Sequence, residues 1–250
     1  MLVTGAGTGI GAAIASVCAG AGARVTLAGR RLDPLAALQV KLGKRAHVVA
    51  NFDVADEDKV RAGVAAARSA FGPIDILVNN AGEAPSGPFT KTDLATWNKV
   101  LAVNLTGTFL VTREVVPDMI AKRAGRVINV ASTAGLVGYA YVSAYVAAKH
   151  GVVGLTRSLA LEFAHAGITV NAVCPGYVET PLLDRAVDNI VAKTKRSREE
   201  ARAALASSNP QGRLVTPDEV ANAVLWLASE AASSINGQAI AIAGGEVMVG

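Results

Sequence analysis

The sequence has few of the residues that build metal centres, disulfide bonds or nucleic-acid surfaces. Two of its 250 residues are cysteines, three are histidines and 4% are aromatic. Cys18 and Cys174 do not form a C-x-x-C pair, and no cysteine or histidine has the spacing of a metal site. We therefore expect a reduced, intracellular compartment and no bound metal.

Long apolar runs and clustered positive charge are also missing. No uninterrupted apolar stretch reaches the roughly 18 residues of a membrane-spanning helix, and no charged N-terminal region precedes an apolar segment. The net charge of +4 comes from scattered lysines and arginines without interleaved aromatic residues. These patterns predict a soluble, cytoplasmic protein that binds neither membrane nor nucleic acid.

Small and aliphatic residues dominate the chain. Hydrophobic residues make up 51% of it, charged residues 18%, and there are 25 glycines. A core of Ala, Val, Leu and Ile is typical of parallel strands that helices cover on both faces. The composition therefore favours an α/β fold, and no internal repeat or low-complexity tract divides the chain.

Three glycines follow the first predicted strand. Residues 1–4 are the end of that strand, and Gly5, Gly9 and Gly11 lead into a helical run from Ala12 to Ala21. Such glycines let backbone N–H groups and a helix N-terminus approach a pyrophosphate closely. The spacing is G-x-x-x-G-x-G rather than G-x-G-x-x-G, so a tight turn without a ligand remains the alternative.

The second predicted strand ends without the acidic residue of an NAD site. Residues 24–31 contain this strand and its exit, about 20 residues past the glycine loop, where Asp or Glu commonly binds the ribose 2′-hydroxyl. Gly29 takes that position and Arg30 follows, and a guanidinium suits a 2′-phosphate better. The pattern predicts a preference for NADP(H), with NAD(H) possible, and a solvated arginine pair is the alternative.

Polar residues mark the ends of the next two predicted strands. Segments 47–54 and 74–82 carry Asp53, Asn79 and Gly82 at their carboxyl ends. Ligands of open parallel sheets bind at these ends, so the three residues are expected to face one crevice.

The rest of the chain continues the alternation of helices and strands. A long helix is predicted from Thr96 to Arg113, and Asn104 inside it needs hydrogen-bond partners, whether structural or catalytic. The remaining predictions are strands at 125–133, 168–173 and 238–243 and helices at 57–71, 143–165 and 217–229.

Tyr145 and Lys149 lie four residues apart in an alanine-rich segment. If the segment is helical, both side chains project from one face. A cation at ~4 Å could lower the pKa of a phenol from about 10 towards neutrality, which would make Tyr145 an acid–base catalyst. An isolated Y-x-x-x-K is more often an ordinary surface pair, so its neighbours must decide.

Residues 177–212 are more charged than the rest and lie between Pro175 and Pro210. We predict an interrupted helical lid here rather than a second domain. Five cations against two acids, an excess of three, would attract an anionic acyl carrier, with a solvated surface as the alternative. The residues are Lys193, Lys195, Arg196, Arg198, Arg202, Glu199 and Glu200.

Four signals now occur in one order along the chain. They are T-G-x-x-x-G-I-G at 4–11, N-N-A-G at 79–82, Ser132 thirteen residues before Tyr145, and P-G-x-x-x-T at 175–180. Over essentially its whole length the sequence resembles the short-chain dehydrogenase/reductase family. The resemblance implies one Rossmann domain over residues 1–250, with a doubly wound, seven-stranded parallel sheet in the order 3-2-1-4-5-6-7.

The resemblance also implies a catalytic tetrad. Tyr145 would transfer the proton, Ser132 would bind the carbonyl oxygen, and Lys149 would hold the ribose and lower the pKa of Tyr145. Asn104 would anchor a water that links Lys149 to solvent. The positions implied to bind the dinucleotide are Gly5, Thr8, Gly9, Ile10, Arg30, Asp53, Val54, Asn80, Ala81, Gly82, Tyr145, Lys149, Pro175, Gly176, Val178 and Thr180.

Within the family, residues 126–182 resemble reductases of 3-oxoacyl thioesters, in particular aromatic polyketide ketoreductases. This implies reduction of a 3-oxoacyl group carried on coenzyme A or an acyl carrier protein. A dehydrogenase of a small hydroxy acid, steroid or polyol is an alternative. A non-enzymatic dinucleotide sensor is a further alternative, which the intact tetrad disfavours.

The family resemblance further implies a homotetramer in which helices 96–113 and 145–163 pack against their symmetry mates. Both segments carry apolar residues on more than one side, too many for one sheet-facing stripe. These residues are Val103, Leu105, Phe109, Val152, Val153, Leu159 and Phe163.

Overall fold

Seven parallel strands form one sheet in the structure, a computed structural model that describes residues 1–248. The strands are β1 (Leu2–Thr4), β2 (Val25–Ala28), β3 (Ala46–Val49), β4 (Ile76–Asn79), β5 (Gly125–Val130), β6 (Ile168–Pro175) and β7 (Ala239–Ile242). Their order is β3-β2-β1-β4-β5-β6-β7, and every pairing is parallel. The predicted fold class and strand order are confirmed.

Helices cover both faces of this sheet. The α-helices of residues 1–248 are α1 (Gly9–Gly20), α2 (Leu32–Leu42), α3 (Glu57–Phe71), α4 (Leu94–Leu101), α5 (Gly107–Lys122), α6 (Ser143–Phe163), α7 (Pro181–Lys193), α8 (Arg198–Ala206) and α9 (Pro217–Ala228). Apolar residues of α1, α2 and α9 pack on one face, and those of α3 and α5 pack on the other. None of the helices within residues 1–248 is both long and apolar enough to cross a membrane.

Helix α2 was not predicted, although the sequence contains its signal. Leu35 and Leu38 are buried on its inner face, and Leu32 and Leu42 extend the same helical spacing. Pro34 lies in the first turn, where the missing N–H costs nothing. This helix begins directly after Arg31, so it fixes the exit of β2.

The helix predicted over Thr96–Arg113 is right in type but too short, because the helical path runs from residue 94 to 122. It is interrupted between α4 and α5 by a wider π-helical turn, Ala102–Thr106. Asn104 lies in this turn and donates from Nδ2 to the carbonyl of Val100, 3.0 Å away. Turns of this kind are often found at functional sites, and this one holds a predicted catalytic residue.

Candidate active site

A cavity of about 610 Å³ lies at the carboxyl ends of the strands. The ends of β1, β2, β4, β5 and β6 contribute to its wall, together with the first turn of α1, α6 and residues of the segment predicted to be a lid. The residues predicted to bind the dinucleotide line this cavity together with Ser132, whereas Asn104 does not. Asn79 was also expected to face the crevice, and this was wrong: it is buried and its Nδ2 donates to Thr112 Oγ1 and Asn129 Oδ1, both at 2.9 Å. The predicted crevice at the strand ends is thus a single continuous space.

The glycine loop is packed so tightly that larger residues would not fit. Gly5 and Gly9 have positive φ angles of 63° and 54°, which L side chains rarely adopt. A Cβ on Gly11 would lie 2.3 Å from the carbonyl oxygen of Gly5. Thr8 precedes α1, and its side chain makes no capping hydrogen bond to the helix. Gly9 and Ile10 of this first turn line the cavity, so N–H groups without a capping side chain are available to a pyrophosphate there.

Asn80 holds the loop in this shape. Its Nδ2 donates to the carbonyls of Thr4 and Gly5, at 2.9 and 3.3 Å. The backbone N–H groups of Asn80 and Ala81 both donate to Thr4 Oγ1, at 3.0 Å. Asn80 was predicted as a dinucleotide contact, which stays a prediction; in the structure its side chain fixes the glycine loop.

Two guanidinium groups stand at the end of β2. Arg30 and Arg31 are exposed and both line the cavity, next to Gly29. Asp53, at the end of the neighbouring strand, also lines it and accepts a hydrogen bond from the N–H of Ala55, 3.1 Å away. The tight loop and the paired arginines fit a phosphorylated dinucleotide. Sequence reasoning named only Arg30, because α2 had not been predicted and the position of Arg31 was unknown.

Ser132, Tyr145 and Lys149 come together below the strand ends. Ser132 follows β5, and its Oγ accepts from the N–H of Ala134, 3.1 Å away. Tyr145 and Lys149 project from one face of α6, and Lys149 Nζ lies 5.5 Å from the centroid of the Tyr145 ring. Lys149 is buried and donates to the carbonyl of Val130 at 2.8 Å. The shared face predicted for this pair is therefore present.

The pKa of Tyr145 moves in the direction opposite to the predicted one. Burial raises it to about 12, although the Ser132 hydroxyl acts in the lowering direction. Burial lowers the pKa of Lys149 to about 8. The ammonium is bonded to the Val130 carbonyl and lies beside the ring of Tyr145, so burial outweighs its effect on the phenol.

Asn104 is fully buried behind the cavity. Its Nδ2 donates to the carbonyls of Glu83 and Val100, at 2.9 and 3.0 Å. Its Oδ1 has no hydrogen-bond partner within residues 1–248. A Cβ on Gly82 would lie 2.8 Å from this oxygen, so the site requires a glycine there. The amide thus fixes the 82–83 backbone and keeps one acceptor available.

All four tyrosines of the chain line the cavity, namely Tyr139, Tyr141, Tyr145 and Tyr177. Only Tyr145 was predicted to be there. A sequence signal did exist, because a chain with 4% aromatic residues places three of its tyrosines between 139 and 145.

The predicted lid segment, residues 177–212, is much less basic than its count of lysines and arginines suggested. Arg198 forms ion pairs with Asp184 and Asp188, and Arg202 lies 2.9 Å from Glu179. Residues 177–212 contain six Lys or Arg and five Asp or Glu, a net charge of +1. The predicted excess of three was misleading because the window began at Ile190 and left out these three acids.

A family model matches this architecture and site. The model of the short chain dehydrogenases matches residues 1–190. The chain belongs to the short-chain dehydrogenase family. Its similarity to known members extends over nearly the whole chain, including the residues after 190 that lie beyond the matched region.

The relatives include dehydrogenases and reductases of different substrates. The chain is 43% identical over 251 residues to the cis-4-hydroxycyclohexanecarboxylate dehydrogenase of Sinomonas cyclohexanicum, covering 99% of this chain and 96% of that one. It is 39% identical over 248 residues to the 3-oxoacyl-acyl-carrier-protein reductase of Vibrio harveyi, with 99% and 97% covered. A structure of an actinorhodin polyketide ketoreductase variant with NADPH superposes with a TM-score of 0.94 at 39% identity, covering 98% of this chain and 95% of that one. This short-chain dehydrogenase is therefore an oxidoreductase whose relatives act on CH–OH groups.

Proposed function

We propose that this short-chain dehydrogenase interconverts a ketone and a secondary alcohol with NADP(H) at Ser132, Tyr145 and Lys149. The observation that carries the proposal is that these three side chains line the same cavity as the glycine loop. A carbonyl group bound beside Tyr145 and Ser132 would thus share the cavity with a dinucleotide held by the loop.

The three side chains divide the proton chemistry among them. When bound, the dinucleotide supplies or accepts the hydride. Tyr145 keeps its proton at neutral pH because its pKa is about 12, so it is ready to donate to the substrate oxygen. Ser132 donates a hydrogen bond to the same oxygen and stabilises the charge that develops there. The buried charge of Lys149 offsets the charge that Tyr145 acquires when it gives up its proton.

Asn104 is proposed to connect this group to solvent. Its unpartnered, buried Oδ1 is an acceptor that a water molecule can satisfy. A proton lost by Tyr145 would be replaced through Lys149 and that water. The fixed bonds of Asn104 to Glu83 and Val100 hold the acceptor in place.

Preference for NADP(H) over NAD(H) is supported by charge at the end of β2. Arg30 and Arg31 line the cavity, and Gly29 stands where a carboxylate would repel a 2′-phosphate. The ketoreductase with the superposable structure holds NADPH, which agrees with this choice.

The first substrate candidate is a 3-oxoacyl thioester. Its support is the similarity to the 3-oxoacyl-acyl-carrier-protein reductase and to the polyketide ketoreductase. The lid charge gives little further support, since Arg198 and Arg202 are paired with acids. A carrier protein or coenzyme A would therefore meet a nearly neutral lid, and salt should have little effect on the rate.

A ring-bearing hydroxy acid is the second candidate. Four tyrosines in one cavity provide flat apolar faces with polar edges, which suit a ring that carries oxygen substituents. Arg185 of the lid is exposed, lines the same cavity and has no ion-pair partner within residues 1–248. A carboxylate on the ring could pair with it, and one relative is named for such a substrate.

The segment 177–212 is proposed to be a lid over the substrate end of a single-domain protein. Helices α7 and α8 pack on each other through Leu183, Val187 and Ala201. One side of α7 faces the cavity through Leu182, Arg185, Ala186 and Ile190. The lid thereby contributes side chains to substrate recognition and not to the catalytic group.

A small panel of ketones tests the proposal. Purified protein is assayed by NADPH and NADH oxidation with acetoacetyl-coenzyme A, the same acyl group on a short uncharged thiol, and 4-oxocyclohexanecarboxylate. We expect NADPH-dependent reduction of at least one class, and the ratio between classes selects the candidate. If NADPH binds but no ketone is reduced and no matching alcohol is oxidised, the enzymatic proposal fails and a dinucleotide sensor takes its place.

A further inference from the structure

One cavity tyrosine is tied to the far end of the chain. The hydroxyl of Tyr139 donates to Glu246 Oε1 at 2.8 Å and lies 2.9 Å from Thr133 Oγ1. Tyr139 lines the cavity, whereas Glu246 comes from the segment after β7 and does not line it. The carboxylate therefore acts on the cavity wall from behind.

The surroundings of this contact leave little freedom. The rings of Tyr139 and Tyr177 meet edge to face, with centroids 6.4 Å apart and planes at 79°. A Cβ on Gly176 would lie 2.7 Å from Glu246 Oε2, so the carboxylate lies close to this backbone. Burial raises the pKa of Tyr139, and the neighbouring Glu246 raises it further. The phenol therefore keeps its proton and remains a donor to the carboxylate.

The C-terminal segment that carries Glu246 is itself held in place. A Cβ on Gly244 would overlap Asn209 Oδ1, at 2.1 Å, and one on Gly245 would lie 3.5 Å from Pro210. Asn209 Nδ2 donates to the carbonyl of Arg213 at 2.8 Å. The segment after β7 thus packs against Asn209 and Pro210 at the end of the proposed lid. The backbone that carries the Glu246 carboxylate is therefore held in position.

We infer that Glu246 is a positioning residue that holds Tyr139 as a fixed wall of the substrate cavity and so selects among ketones. The inference rests on the proposed function and identifies residues that would determine its substrate specificity. Thr133 follows the catalytic Ser132 directly, so the wall is fixed relative to the hydroxyl that binds the substrate oxygen. A ketone large enough to reach Tyr139 depends on this wall, and a small acyclic ketone does not.

The test compares three single variants and one double variant with the wild type on a ring ketone and a small acyclic ketone. Glu246→Ala and Tyr139→Phe each remove the charge-assisted hydrogen bond between the two side chains. Losing a bond of this kind lowers the kcat/KM that depends on it by about 10-fold or more. We expect that loss in kcat/KM for 4-oxocyclohexanecarboxylate, mainly through KM, and a change of less than about 3-fold for ethyl acetoacetate. Glu246→Gln retains an acceptor oxygen and should recover most of the selectivity. The double variant should be no worse than either single one.

Hydrogen exchange gives a readout that needs no turnover. The amides of residues 137–142 should exchange about 10-fold faster in Glu246→Ala than in Glu246→Gln, because only the former loses the tether. Asp218→Ala, which removes an exposed acid elsewhere, is the matched control and should leave both measurements unchanged.

Two results would overturn the inference. One is unchanged selectivity and exchange in Glu246→Ala and Tyr139→Phe. The other is an equal loss on both ketones together with a raised Kd for NADPH, which indicates a purely structural role. If the wild type reduces no ketone, the proposed function fails, and the exchange measurement still decides whether Glu246 holds Tyr139.

Discussion

Burial shifts the pKa values of the two central residues in opposite directions. Tyr145 is held protonated with a pKa of about 12, and Lys149 has a pKa lowered to about 8. An amine with a lowered pKa is charged below that pH and neutral above it. Lys149, whose charge is proposed to assist Tyr145, is therefore the group of the two that titrates near neutral pH.

This gives a pH dependence with a definite sign. In the ketone-reducing direction, kcat/KM should fall as pH rises through about 8, by up to tenfold per pH unit, because Lys149 loses its proton. The measurement is a pH profile from 6 to 10 at saturating NADPH. In Lys149→Arg the guanidinium stays charged up to pH 10. The residual kcat/KM of this variant should therefore not decrease near pH 8. A wild-type profile that stays flat to pH 10 contradicts this role of Lys149.

Arg30 carries the prediction on the choice of cofactor. In Arg30→Ala, kcat/KM for NADPH should fall by about 10-fold to 150-fold, because a charge-assisted contact of ~1.5 to 3 kcal/mol is lost, while NADH is little affected. Lys41→Ala removes an exposed cation of α2 and is the control. Equal wild-type efficiency with both cofactors would refute the preference.

At the scale of elements, α1 packs directly on the glycine loop because residue 11 has no side chain. This packing gives the loop the shape that we expect a dinucleotide to need. Gly11 and Gly20 lie in the same helix, yet only Gly11 has a neighbour within reach of a Cβ. Gly11→Ala should raise the Kd for both NADPH and NADH by roughly 10-fold or more and lower Tm, because the new methyl group meets the Gly5 carbonyl. Gly20→Ala should leave both Kd values unchanged and stabilise the protein by about 0.5 to 1 kcal/mol. Calorimetric titration and thermal unfolding provide the two readouts, and identical behaviour of the two variants would contradict the packing argument.

Spacing within single elements predicted the glycine loop and the shared face of Tyr145 and Lys149. The strand order is not local, and it was predicted from the family resemblance. The direction of the Tyr145 pKa could not be predicted from local spacing, because it depends on burial of Tyr145 by residues distant in the sequence. The Glu246–Tyr139 contact joins residues 107 positions apart, and no local pattern indicates it. The lid charge was misjudged for a similar reason, since its ion pairs connect α8 to residues before Ile190.

At the scale of the whole molecule, the tetramer remains a prediction. The exposed residues of α4 to α6 show which side chains could form its contacts. Val152 and Val153 are buried within the protomer, so they do not contribute to an outer surface. Phe109 and Leu161, which are 43% and 80% exposed on α5 and α6, are apolar groups available for contact between copies, as are the exposed Leu94 of α4 and Ile120 of α5.

Light scattering tests this assembly. The wild type should give about four times the 25.4 kDa mass of one chain at micromolar concentration. Leu161→Glu should reduce that mass, because it would place a charge in the apolar contact. A monomeric wild type at that concentration would rule out the tetramer.

The central claim is that Tyr145 transfers the proton in a dinucleotide-dependent ketone reduction, and Tyr145→Phe tests it most directly. The substitution removes one hydroxyl and almost no volume, so the cavity and the glycine loop should keep their shape. With a ketone that the wild type reduces, kcat should fall by about 10²-fold to 10⁴-fold, while the Kd for NADPH stays within about 3-fold of the wild-type value. A variant that retained more than a few per cent of wild-type kcat would contradict the account.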